Sequence, residues 1–87
     1  MILSKEIIQH KHFTEKKEVK TFKGKEITRS TLYIKKNDKM YCIGDIDHDQ
    51  KELFIYSKNC IEAINEVKTI YSDYKIPDLI FAVGCPI

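Results

Sequence analysis

The sequence predicts an α+β domain, a mainly antiparallel β-meander with one α-helix packed on one face, in the order β-β-β-β-α-β. Three observations carry this expectation. Polar turn signals recur at short, regular intervals through residues 23–50. A single capped, amphipathic stretch follows over residues 59–75. A short continuous apolar run, Leu79-Ile80-Phe81-Ala82-Val83, then fits a strand buried on both faces or lodged centrally in the sheet. With 87 residues the chain is expected to form one domain, 1–87, that buries only about 60–65% of its unfolded surface.

Met1 to Gln9 places Ile2, Leu3, Ile7 and Ile8 so that an amphipathic strand and a short helical turn fit equally well. Phe13–Phe22 and Lys25–Lys35 have strand texture and flank Lys23-Gly24, a hairpin turn in which Gly supplies a positive φ without steric cost. Lys36-Asn37-Asp38-Lys39 forms a second turn before Met40–Ile46, and Asp47-His48-Asp49-Gln50 a third before Lys51–Tyr56. Asn59 with Glu62 suits a helix N-cap, with Ser57 as the rival cap. Cys60, Ile64, Val67, Tyr71 and Tyr74 recur at steps of four and three, one stripe on one face. Ile76-Pro77 is expected to end the helix, because the residue before Pro avoids the α region.

Symmetric, even loops would pair Ile34 with Tyr41, Leu32 with Ile43, Ile43 with Phe54 and Tyr41 with Tyr56. One face would then carry Leu32, Ile34, Tyr41, Ile43, Phe54 and Tyr56, and the other Tyr33, Lys35, Met40, Cys42, Leu53 and Ile55. One helix covers only one of these faces. Tyr33, Met40, Cys42, Leu53 and Ile55 are therefore the candidate protein-binding residues, to be covered by residues 1–12 or by another chain, including a second copy.

Composition narrows the function classes. At 43% hydrophobic and 32% charged residues, the chain is neither disordered nor fibrous. Nothing approaches the roughly 18 consecutive apolar residues of a membrane span, and the start is charged too early for a signal peptide. Cys42, Cys60 and Cys85 are odd in number, widely spaced and without a CxxC pair, which fits reduced thiols and a cytoplasmic location.

Residues 1–40 hold 11 Lys and Arg against 5 Asp and Glu, whereas residues 41–87 hold 4 against 8. A nucleic-acid surface built from Lys16, Lys17, Lys20, Lys23, Lys25 and Arg29 is the alternative reading of that asymmetry. Against it, 14 of the 15 cations are Lys, whereas bidentate base and phosphate recognition favours Arg. No RNP-type signature is present. The aromatics among the lysines fit a small β-core better than stacking platforms.

Chemistry-bearing motifs are sparse. Asp45, Asp47 and Asp49 alternate as in a calcium loop, but Gln50 stands where the sharp turn needs Gly and Tyr56 where a bidentate Glu is needed. His10 and His12 share one side of a strand, but no spacing brings His48 to them, so no metal site is expected. There is no nucleophile elbow and no phosphate-cradling glycine loop, and no cofactor is expected. A chain this short should leave little room for a pocket of about 300 Å³. The expected function is that of a small non-catalytic module that binds a host protein or its own second copy through a sheet face or edge, of the kind phages and mobile elements use to inhibit or modulate a host protein.

Overall fold

The computed structural model describes residues 2–57 and 59–76. Strands β1 (Ile2–Gln9), β2 (Thr14–Phe22), β3 (Lys25–Lys36), β4 (Lys39–Asp47) and β5 (Glu52–Ile55) form one sheet, followed by α1 (Ile61–Ile70). Each strand pairs antiparallel with the next, in the spatial order β1-β2-β3-β4-β5, so the expected meander with one helix is what forms. The opening segment resolves as a strand, which makes five strands before the helix. The apolar run 79–83 lies outside the described residues.

The turns explain the tight connections. Lys23 and Gly24 both take positive φ, 51° and 77°, and so do Asn37 and Asp38, at 53° and 63°. Two successive left-handed residues give a turn whose twist matches that of the flanking strands. Beyond β4, Asp47 Oδ1 accepts the backbone N–H groups of Asp49 and Gln50 and closes the third turn.

Leu53 and Ile55 do not lie where uniform alternation puts them. They are buried under the helix, whereas Phe54 shares the opposite face with Asp45 and Tyr56 hydrogen-bonds Asp45 there. The cause is a β-bulge in β4. Tyr33 pairs with Cys42 and Leu32 with Gly44, which leaves Ile43 as an extra residue. Ile43 and Gly44 together occupy the space facing Leu32, and every residue after them changes face. Glycine is required there, since a Cβ at position 44 would sit 2.4 Å from the carbonyl oxygen of Phe54 and 3.4 Å from Leu32 Cδ1.

The core is Phe13, Leu32, Ile43, Ile46 and Leu53 from the sheet side against Ala63 and Val67 of α1, with Ile34, Cys60, Tyr71 and Tyr74 packed around it. Each large side chain fully buried here contributes about 1.5–3 kcal/mol, so this one layer accounts for most of the hydrophobic stabilisation visible. The expected stripe of Cys60, Ile64, Val67, Tyr71 and Tyr74 does face the sheet.

The helix itself is shorter than residues 59–75. Its N-cap is Cys60, with no side-chain capping bond, because Ser57 Oγ accepts the Asn59 N–H and draws that residue into the preceding turn. At the other end the Tyr71 N–H still reaches the Val67 carbonyl, but Ser72 and Asp73, poor helix formers, lie in a turn. Lys75 then runs parallel to β5, its N–H on the Lys51 carbonyl and its carbonyl accepting the Leu53 N–H, both at 2.8 Å. Among the described residues, no helix is long and apolar enough to cross a membrane.

Candidate functional site

Residues 1–12 do not cover the second sheet face. Positions 2–9 extend the sheet sideways as β1, because their backbone groups pair with β2. Of the five candidate binding residues, Tyr33 and Cys42 are half-buried on the face away from the helix, Met40 is exposed near the β3–β4 turn, and Leu53 and Ile55 are core. The structure therefore brings only Tyr33, Met40 and Cys42 to that open face.

The basic residues also divide. Lys16, Lys20, Lys25 and Arg29 follow the open-face register, Lys17 faces the helix side opposite Ser30, and Lys23 is in a turn with its ammonium 5.4 Å from the Phe22 ring centre. Lys16 lies 3.9 Å from Glu18, and Arg29 lies 3.4 Å from Asp47. Acidic partners thus interrupt the expected cationic surface.

Beneath the helix lies a polar cluster that residue spacing did not reveal. Glu15, on β2 opposite Leu32 and Ile8, has no solvent exposure. Its Oε2 accepts the Ser30 hydroxyl at 2.6 Å, and its Oε1 accepts the Tyr71 hydroxyl at 2.6 Å and His10 Nε2–H at 3.0 Å. Burial alone would raise the Glu15 pKa. The three donors, Ser30, Tyr71 and His10, outweigh it and hold the carboxyl below its usual range.

His48 Nε2 lies 2.8 Å from Ser30 Oγ and Nδ1 lies 2.9 Å from the Tyr74 hydroxyl. One neutral tautomer satisfies the chain of bonds: Nε2–H donates to Ser30, Ser30 donates to Glu15, and Tyr74 donates to Nδ1. Burial lowers the His48 pKa, partly opposed by the Glu15 charge. Glu15 and Ser30 are sealed from solvent, and both tyrosines come from the turn after α1. The arrangement clamps the end of the helix to the sheet, and a reactant has no route to its central groups.

The metal-like motifs come apart in space. His10 joins Glu15, whereas His12 points to Glu62 at 3.3 Å. Asp45 takes the Tyr56 hydroxyl, Asp47 meets Arg29, and Asp49 accepts the Thr28 N–H. Among the described residues, no three His, Cys, Asp or Glu side chains are placed to hold a metal.

An open groove of about 520 Å³ beside the start of α1, lined by Ile34, Lys35, Lys36, His12, Cys60 and Glu62 among others, is larger than the chain length suggested. Among the described residues no buried polar atom is left without a partner, so none is aimed unsatisfied into it.

Among the described residues, the surface that stands out is the outer edge of β1, a strand that pairs with β2 alone. This strand has eight residues, seven exposed and one half-buried, with Ile2, Leu3 and Ile7 exposed by 55%, 50% and 64%. Its register with β2 is irregular only between Ile2 and Ser4. From Ser4 to Gln9 no proline or bulge interrupts it. On the open face one row crosses the sheet as Lys5, Glu18, Arg29 and Asp47, with charges alternating in sign. On the helix face Glu6 stands opposite Lys17 in the same way. Compared with known proteins, the chain matches no family model, no curated protein and no solved structure.

Proposed function

We propose that the chain is a small non-catalytic protein-binding module that takes up an extended segment of another protein at the edge of β1. What supports this reading is the exposure of that edge, its unbroken register from Ser4 to Gln9 and its apolar residues Ile2, Leu3, Ile7 and Ile8. An outer strand carries a row of unpaired N–H and C=O groups, and such rows recruit further strands unless charge, proline, bulging or cover prevents it. Here Ser4, Lys5 and Glu6 separate the apolar pairs Ile2-Leu3 and Ile7-Ile8, and two of those three are charged. A host protein is the proposed partner, and sequestering one of its strands would make the module an inhibitor or modulator.

The test compares proteins retained from a host lysate by the intact chain and by Ile7→Asp, which alters an exposed side chain. Binding partners are then purified and mixed with the chain, and hydrogen exchange of β1 is followed. Protection of β1 amides in the complex, with affinity lost in the variant, is the expected result. Equal retention by both chains, with β1 exchange unchanged, overturns the reading. Retention of nucleic acid with a steep salt dependence instead points to the basic residues.

A further inference from the structure

We infer that the segment docking on β1 is a strand of different sequence, antiparallel to β1, that reads apolar-apolar-basic-acidic where it passes Ile8, Ile7, Glu6 and Lys5. This rests on the reading of β1 as the docking edge and adds the chemistry of its partner. In a sheet, directly opposite residues share a face and lie within reach of one another, so each row across the sheet asks for a particular next member. The row ending at Lys5 alternates in sign through Glu18 and Arg29 to Asp47, with Arg29 and Asp47 at 3.4 Å. The position beyond Lys5 is therefore acidic. The row ending at Glu6 has Lys17 behind it, and a basic residue beyond Glu6 continues that alternation. Beyond Ile7, which is 64% exposed, and Ile8, the matching residues are apolar.

The same rows argue against a second copy of this chain. Two copies of β1 paired about a two-fold axis keep both helices on one side of the sheet, so each open-face residue must meet an open-face residue. The registers with the longest overlap then set Lys5 against Lys5 or Glu6 against Glu6, and like charges directly opposite are unfavourable. Lys5 of one copy could meet Glu6 of the other only in a register that sets an open-face residue against a helix-face residue, and the two-fold pairing excludes that register.

The test uses two synthetic peptides of about eight residues, the length of β1, one centred on Val-Ile-Arg-Asp and the other on Val-Ile-Asp-Arg. Each is titrated into the full chain while the amide resonances of β1 are followed. The first peptide is expected to shift β1 amides and bind at least about tenfold more tightly than the second. The margin should shrink as salt rises from about 0.05 to about 0.5 M. The doubly exchanged chain, Lys5→Glu with Glu6→Lys, should prefer the second peptide. If both peptides shift β1 amides with equal affinity, the partner chemistry is wrong while the docking edge stands. If both leave β1 unchanged, the docking edge itself is refuted. Self-association through β1 that excludes both peptides also overturns the inference, in favour of a second copy.

Discussion

Replacing Glu15 by Gln tests whether the buried cluster holds the helix to the sheet. The side chain keeps its size, but its charge disappears and one oxygen becomes an NH2 donor. That donor meets either the Ser30 hydroxyl at the Oε2 position or the Tyr71 and His10 donors at Oε1, all within 3.0 Å. With the NH2 at the Oε2 position, Gln donates to Ser30 Oγ only after the Ser30 hydroxyl turns to His48 Nε2 and the imidazole takes its other neutral tautomer, so the network must rewire as well as lose its charge. Hydrogen bonds to a charged group are worth about 1.5–3 kcal/mol against about 0.5–1.5 kcal/mol for neutral ones, so weakening the three bonds to Glu15 predicts a loss of about 2–3 kcal/mol. For a domain of this size each kcal/mol lowers Tm by about 4–8 °C, which predicts a fall of about 10–20 °C at pH 7. Circular dichroism during thermal unfolding measures it. A variant within about 0.5 kcal/mol of the parent chain would refute the clamp, since that is the change expected of an ordinary surface position.

The pH dependence of stability should have a definite sign. His48 and Glu15 both have lowered pKa values in the folded chain, so the unfolded chain binds protons first as pH falls. Stability should be highest above the usual His pKa of 6.5, decline below it, and decline further below the usual Glu value of 4.5, as checked by urea unfolding across pH. Gly44→Ala should cost about 1–3 kcal/mol, because the added methyl meets the Phe54 carbonyl oxygen at 2.4 Å, and chemical denaturation would show it. Glu66→Ala removes the acceptor of the Lys11 and His12 N–H groups, and exchange of those two amides should rise while Tm changes by only a few degrees.

Local chemistry determined much of this protein. Lys23-Gly24 and Asn37-Asp38 mark turns because those residues take left-handed φ, and the spacing of Cys60, Ile64, Val67 and Tyr71, from cap to cap of α1, marks a face because a helix repeats every 3.6 residues. Such rules involve neighbours in the chain and need no partner. The apolar positions Ile2, Leu3, Ile7 and Ile8 were equally legible, but whether they lie across the sheet or along its edge depends on pairing with β2.

Tertiary structure decided two things that spacing cannot express. One extra residue at Ile43 reverses the faces of everything after it in β4 and β5, so Leu53 and Ile55 became core and not binding surface, and the lone Gly44 was its single trace in the sequence. Glu15 reads as one more charge in a lysine-rich strand. It became the centre of the helix clamp because folding delivers Ser30 from β3 and Tyr71 from 56 positions away, and those donors compensate a desolvation that an isolated carboxylate could not bear.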